Sequence, residues 1–472
     1  MRALVWFRRD LRVDDNAALA SAAEFATDGI VAVYFVTPQQ WIEHDEAPCK
    51  IKFWLDHLES LSAKLAELNI PLLIEQCDSF LDVPKRILKL AQNHDCSDLF
   101  FNHEYEANEQ QRDQHVIDQF ELNDLNTHCF HDRVVVPPET IKTKEGKFYS
   151  VFTPYRKVWD RVAEEYLKTY PRPKQQKPLD IKPGDIPDKV KGFDLEECRS
   201  DLWPAGEDEA QARLEKFKSR IGGYNDYRDI PSLNGTSLLS PYLAVGAISI
   251  RQCLNAAIEL NEGRIAGAEG PTTWISELTW RDFYVQVMVA CPRVSKHQPF
   301  KLKTNQLQWR NDPQEFQAWC DGQTGYPIVD AGMRQLNRTG WMHNRLRMVT
   351  AMFLTKNLLI DWRMGEKYFM QKLIDGDLAS NNGGWQWSAS TGTDAVPYFR
   401  IFNPFSQSKR FDPEGDFIRK MCPELKKVPK KSLHDVKKMA SCRPEFAPDY
   451  PEYIVDYSHG RERALQAFKA LK

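Results

Sequence analysis

The chain has 472 residues, too many for one hydrophobic core, so two domains are expected. Hydrophobic residues make up 42% and charged residues 27%, the balance of an ordinary water-soluble protein. Lysine plus arginine is 63 against 66 aspartate plus glutamate, a net charge of -3, so any contact with nucleic acid must come from a local basic patch. Ten cysteines are scattered without a CxxC pair, which excludes a cysteine metal centre and fits free thiols in a reducing compartment. The first residues, Met1 to Arg12, lack the apolar run of a signal peptide. No stretch of about 20 apolar residues suggests a membrane span, so a cytoplasmic protein is expected.

Residues 1–130 alternate strand and helix signals. Short apolar runs at Ala3–Phe7, Ile30–Val36, Pro71–Glu75, Ser97–Asn102 and Thr127–Phe130 read as strands. Between them, Ile51–Leu68 and Phe80–His94 read as helices. In the first, Trp54, Leu58, Leu61 and Leu65 recur at spacings of three and four, one helical face. Strand and helix in alternation predict a parallel sheet with helices on both sides, a Rossmann-like α/β domain. Its first strand-to-helix turn, FRRDLRVDDN, lacks the GxGxxG of a dinucleotide site.

Residues 131–200 read as an inter-domain connection, because Pro171, Pro173, Pro178, Pro183 and Pro187 interrupt a lysine-rich stretch. Residues 201–472 read as all-helical, with periodic segments at Ala210–Ile221, Ile250–Glu262, Thr273–Ala290, Gly332–Thr339, Asn344–Lys356 and Glu366–Ile374. The class is therefore α/β followed by all-α.

Four segments of the helical part carry chemistry. WISELTWRDFY places Glu277, Trp280, Arg281 and Tyr284 on one helical face, beside Trp274. Charged groups on such a stripe need partners; an internal salt bridge would supply one, and a polar, aromatic-lined pocket for a flat heterocycle would supply another. TGWMHNRLRM crowds Trp341, Asn344, Arg345, Arg347 and Met348 at a helix start. Over residues 333–363, Arg334, Arg338, Arg345, Arg347, Lys356 and Arg363 face only Asp361. Interleaved with Trp341 and Trp362, this run reads as a nucleic-acid face, with a solvated basic face as the alternative. DGDLASNNGGWQWSASTGTD reads as a polar loop of Asp375, Asp377, Asn381, Asn382, Gly383 and Gly384, followed by Trp385 and Trp387. GTSLLSPYLAVGAIS offers Thr236, Ser237 and Ser240 at a helix entry, where a diphosphate can sit without a Walker lysine.

Together these segments resemble the photolyase–cryptochrome family, over nearly the whole chain from VWFRRDLRVDDN to FRIFNP. The pattern is most similar to bacterial dimer photolyases of the folate-antenna type. The resemblance implies an N-terminal α/β domain for the antenna and a helical domain for FAD and DNA. It implies that light excites reduced, anionic FAD, which passes one electron to a cyclobutane pyrimidine dimer flipped out of the DNA. By the same resemblance, Tyr224, Thr236, Ser237, Leu238, Leu239 and Ser240 form the FAD-phosphate loop, with backbone contact alone at Leu238. Trp274, Arg281, Trp341, Asn344, Arg347, Asp375 and Asp377 surround the flavin, and Asn381 lies near its N5 atom. Glu277, Trp280, Asn344, Arg345, Met348 and Trp387 form the dimer pocket, with Glu277 sharing a proton with the dimer. Trp385, Trp362 and Trp309 form an electron path. Trp41, His44, Asn108, Glu109 and Lys296 hold a 5,10-methenyltetrahydrofolate antenna. No metal is expected, and a monomer is. A cryptochrome light sensor is the first alternative, opposed by Asn381, Met348 and the lack of a long C-terminal tail. A photolyase for the (6-4) lesion is the second, opposed by WMHNRLRM. An electron-transfer flavoprotein without DNA is the third, opposed by the basic run.

Overall fold

The computed structural model describes residues 1–195 and 199–471. Five strands form one sheet: β1 (Arg2–Phe7), β2 (Ile30–Val36), β3 (Leu72–Gln76), β4 (Cys96–Asn102) and β5 (Asn126–Phe130). Their order is β3-β2-β1-β4-β5, and every neighbouring pair is parallel. β2 is buried along its whole length, which is why it reads as a continuous apolar run rather than an alternation. The helix Ala17–Phe25 starts at Asn16, whose side chain accepts a hydrogen bond from the Leu19 amide. The helix Pro48–Glu67 starts with proline in its first turn and buries Trp54, Leu58, Leu61 and Leu65, the face read from the sequence. Val83–Asn93 and Ala107–Glu121 complete the α/β pattern.

The strand order reverses between β1 and β4, and such a switch point is where open α/β sheets usually hold ligands. Here the charged turn after β1 fills it. Arg9 ion-pairs with Glu104 at 3.0 Å, Glu106 at 2.9 Å and Glu109 at 3.3 Å. Arg8 pairs with Asp113, and Arg12 with Asp132, which also meets Arg251. Burial opposes ionisation of Asp132, but Arg12 and Arg251 overcome it and hold its carboxyl below the usual range. Gly246 packs so closely on this turn that a Cβ there would come 2.1 Å from the Arg9 carbonyl oxygen, so only glycine fits.

The stretch read as a connection carries one α-helix, Phe152–Val162, and then runs along the sheet edge. The Gln176 side chain accepts from the Ile30 amide at 2.7 Å and donates to the Ile30 and Asn69 carbonyls. The Gly184 amide donates to the Leu72 carbonyl at 2.8 Å. Leu179 and Ile181 pack on the core of the sheet.

The chain divides into two compact units. The first holds Met1–Gly222, Ser237–Pro292 and Ile374–Asp377; the second holds Gly223–Thr236, Arg293–Leu373 and Leu378–Lys472. Helices built on a core that includes Trp319, Phe353, Trp362 and Trp385 make up the second unit. Two expectations are corrected there. The helix from Asn344 ends at Met352 and continues as a π-turn over Phe353–Asn357. The polar, glycine-rich segment read as a loop is mostly a helix, Leu378–Ala389, because packing of its buried side chains outweighs the low helix propensity of Gly383 and Gly384. Among the described residues, nine cysteines are free, no cluster has metal-binding geometry, and no helix is long and apolar enough to cross a membrane.

In the first unit, Asp282 ties the long helix Glu269–Ala290 to the segment after β5. Its carboxylate accepts from the Val135 amide at 3.0 Å, the Val136 amide at 3.1 Å and Trp159 Nε1 at 2.9 Å. Burial nevertheless pushes its pKa up to about 6. A carboxyl whose folded pKa lies above its unfolded value contributes most below the unfolded pKa and loses that contribution as pH rises through the folded one. Asp282→Asn should therefore remove up to about 3 kcal/mol of pH dependence between pH 4 and 6, read by comparing unfolding of the two proteins across that window.

Candidate active site

The serine-rich loop turns on an unusual backbone. Leu238 has φ +55°, a left-handed conformation uncommon for leucine, and Leu239 is right-handed. Consecutive residues of opposite hand curl their N–H groups into a concave, anion-binding nest, here leading into the short helix Ser240–Val245. Ser237 Oγ accepts from the Leu239 amide at 3.4 Å and braces the bend. The first unit begins again at Ser237, whereas Tyr224 and Thr236 belong to the second.

On the helix Glu269–Ala290, Glu277, Trp280, Arg281 and Tyr284 lie on the half-buried stripe, as their spacing predicts. Trp274 instead faces the core and packs on Phe217. Trp280 stacks on Phe152 at 3.7 Å with the rings nearly parallel. The Arg281 guanidinium donates to the carbonyls of Arg133 and Leu243, the latter at 3.2 Å. It has no carboxylate within ion-pair distance among the described residues. Burial lowers its pKa, outweighing the more distant Asp377. A cation so placed attracts an anion.

The short segment Ile374–Asp377 is fastened within the same unit. Asp377 pairs with Arg133 at 2.7 Å, and Lys50 donates to the Gly376 carbonyl. Asp375 and Asp377 are both buried. Arg133, Lys50 and Asp282 were not singled out from the sequence. Their partners lie far along the chain, and no local pattern marks them.

In the second unit, His343 caps the helix Asn344–Met352, its Nδ1 accepting from the Arg345 amide at 3.2 Å. Burial pushes the His343 pKa down to about 4. Asn344 is exposed, and Trp341, Arg345, Arg347 and Met348 are half-buried. Arg347 Nε donates to the Met342 carbonyl at 2.8 Å. The basic run is not one continuous face. Arg334 turns inward to Gly322 and Glu424, and Lys356 is fully buried against Ser390. Of the six cations, Arg338, Arg345, Arg347 and Arg363 keep some exposure, and Arg363 is tied to Asp361. Helical spacing sends neighbouring residues to different faces, so a count along the sequence overstates the patch.

The helix Leu378–Ala389 carries both asparagines. Asn381 Nδ2 donates to the Glu366 carbonyl at 3.0 Å. Since a carbonyl only accepts, this fixes the amide, and Oδ1 faces the other way. Asn382 is spent on structure: it donates to Val294 and Glu366 and accepts from Gln386. Trp387 is half-buried. Trp385 and Trp362 are buried, and Trp309 is half-buried against the same core. Trp385 packs so tightly that a Cβ at Gly365 would come 2.1 Å from its ring, and its indole N–H has no partner. Trp319, not singled out from the sequence, lies edge-on to Trp385 at 5.9 Å between ring centroids.

Beside the charged turn after β1, three of the five antenna candidates, His44, Asn108 and Glu109, come together. The amides of Gln40 and Asn108 both approach His44 Nε2, at 2.7 and 3.1 Å. His44 Nδ1 therefore carries the proton, and it lies 3.4 Å from Glu109 Oε1. Burial and the neighbouring Glu106 push the Glu109 pKa up, and its Oε2 is buried without a partner. Trp41 is buried against Trp54 and Phe193. Lys296 is exposed and belongs to the second unit.

Comparison with known proteins joins these features. Residues 3–176 match the family model described as DNA photolyase, and residues 274–470 match the FAD binding domain of DNA photolyase. The chain is 43% identical to the deoxyribodipyrimidine photo-lyase of Escherichia coli (strain K12), over 99% of this chain and 98% of that one. It is 44% identical to the enzyme of the same name from Salmonella typhimurium, again over 99% and 98%. Its fold is similar to the crystal structure of a bacterial class III photolyase from Agrobacterium tumefaciens, with a TM-score of 0.88, 33% identity, and coverage of 100% of this chain and 97% of that one. On this agreement along its whole length, the chain belongs to the DNA photolyase family.

Proposed function

We propose that this chain is a deoxyribodipyrimidine photo-lyase, a lyase that uses light and reduced FAD to reopen cyclobutane pyrimidine dimers in DNA. The observation that carries the reading is Arg281, a half-buried cation with no carboxylate at ion-pair distance among the described residues, on the helix that also presents Glu277 and Trp280. When bound, FAD supplies light absorption and one-electron chemistry. The chain's residues supply binding, orientation and proton control.

The donor set fits FAD. The nest at Leu238–Ser240, with Ser237, suits a diphosphate, and the family resemblance adds Tyr224 and Thr236. Arg281 favours an anionic, reduced ring, and Asn381 adds no repelling charge. Trp274, Trp341, Asn344, Arg347, Asp375 and Asp377 complete the flavin shell. Glu277, Trp280, Asn344, Arg345, Met348 and Trp387 receive the extruded dimer. Extrusion costs a few kcal/mol, less for a damaged step that is already poorly stacked. Trp280, pinned by Phe152, offers a fixed ring face, and Glu277 is assigned to hydrogen-bond a base edge of the dimer and share a proton with it. Trp385, Trp362 and Trp309 supply oxidisable indoles that run from buried to half-exposed. The unpartnered Glu109 Oε2, beside His44 and Asn108, fits an antenna with ring N–H donors, which we assign to 5,10-methenyltetrahydrofolate; the family resemblance adds Trp41 and Lys296. The protein acts as a cytoplasmic monomer in this reading. Met348 Sδ lies 3.8 Å from Arg345 Nη1, so a thioether rather than a histidine stands in the pocket, which favours the cyclobutane dimer over the (6-4) lesion.

The direct test is illumination of the reduced holoprotein with an oligonucleotide carrying one cyclobutane dimer. Restored pyrimidines in the light and none in the dark are expected; no repair in the light overturns the assignment.

Three substitutions separate the sites. Arg281→Met removes an uncompensated cation, so the flavin-free protein should melt no lower than wild type, while flavin affinity falls about 10- to 100-fold, the scale of a lost charge-assisted hydrogen bond. Thermal melts and flavin titration read the two effects. Glu277→Ala should keep the flavin spectrum but weaken dimer binding about fivefold, with less repair per absorbed photon; loss of flavin instead would move Glu277 into the cofactor shell. Glu109→Ala should lose the near-ultraviolet folate band on purification and keep a full flavin complement.

A further inference from the structure

Asp229 has no role in the site as drawn, yet it holds one of its arginines. It lies in the second unit, on the segment Gly223–Thr236, just after the short helix Tyr224–Tyr227. Backbone bonds from Arg228 to Tyr224 and from Ile230 to Tyr227 fix the turn around it. Its Oδ2 lies 2.5 Å from Arg345 Nη2. The other cation near it, Arg228, is 3.8 Å from Oδ1. Phe411 stacks on the same guanidinium at 4.4 Å, and Met348 Sδ sits beside Nη1. Arg345 Nε is buried without a partner. The guanidinium edge that could meet a phosphate is therefore occupied by a carboxylate.

We propose that Asp229 is a specificity-determining residue, an internal carboxylate that competes with DNA phosphate for Arg345 and so holds down binding to undamaged duplex. The inference rests on the reading above that Arg345 contacts DNA. The pair is open to exchange: the side chains are 31% and 18% exposed, and pairs in contact with water are weak. A phosphate can displace the carboxylate, but it gains only the difference between the two partners. The displaced negative charge then stays beside the DNA and opposes it. An undamaged backbone has nothing else to offer at this point. In this proposal an extruded dimer meets Arg345 at its unpartnered Nε and leaves Asp229 in place, so it escapes that penalty. Specificity thus comes from a repulsive element built beside an attractive one.

The test is a fluorescence titration of the full flavin-loaded chain with undamaged and dimer-containing duplexes at several salt concentrations. Asp229→Asn keeps the size and removes the charge. It should tighten undamaged binding about three- to tenfold at low salt and steepen the log–log salt slope by about 0.9, one added phosphate contact. Dimer binding should change less, so discrimination falls. Asp229→Glu, which keeps the charge, should retain wild-type discrimination. In an Arg345→Ala background the gain from Asp229→Asn should shrink. Two results overturn the proposal. One is Asp229→Asn with unchanged undamaged affinity and slope. The other is Asp229→Asn weakening both duplexes as Arg345→Ala does, which makes Asp229 a strut for the arginine. Unchanged dimer binding in Arg345→Ala alone would instead remove the DNA role of Arg345, and the competitor role with it.

Discussion

The charge knot after β1 is the constraint on which the first unit is built. Arg9, itself only partly covered, faces three buried glutamates. Burial alone would neutralise Glu104 and Glu106, but Arg9 with Arg112 and Arg133 holds both carboxyls well below the usual range. Arg12, Asp132, Arg251 and Asp15 extend the knot from the sheet to the helix Ile250–Glu259. In such a network each charge is tolerable only while its partners stay, and stripping one away strands the rest at a cost of several kcal/mol. The knot also explains the missing glycine fingerprint. The crevice that a dinucleotide fold keeps open is filled here by the protein's own ions.

The second theme is an imbalance of charge. The first unit matches its buried arginines with acids, and the half-buried Arg281 stands out because it has carbonyls alone among the described residues. A protein that can build the knot at β1 could have placed an acid beside Arg281. On the reading proposed above, that position is kept for an anionic cofactor, at a cost in the stability of the flavin-free unit.

Much of the fold was legible in the residues because strand and helix periods are local. The apolar runs of β1, β2 and β4 and the Trp54–Leu65 stripe are set within a few residues of one another. The glycine-rich segment was misread for the same reason. Gly383 and Gly384 argue locally for a loop, while the burial of Asn382, Trp385 and Gln386 argues for a helix. Burial is a tertiary property and is not written nearby. The basic run failed likewise, since Lys356 and Arg334 turn inward to partners elsewhere in the chain. Most candidate positions were reached through long motifs. Asp229, Arg133 and Asp282 were not, because each matters only through a residue far away.

The seal along β3 bears on how the chain reaches its native state. An exposed parallel edge strand invites pairing with another molecule. Here Gly184 donates to the Leu72 carbonyl of that edge, and Gln176 holds the turn just before β3 through the Leu68 and Asn69 carbonyls; both residues follow β5 in the chain. During synthesis the five strands therefore emerge before their cover does. For that interval the growing sheet presents an open edge, and self-association competes with the arrival of the proline-rich segment. The prolines serve this timing: a segment that cannot form a helix or a regular strand has little to do except lie down along the edge waiting for it.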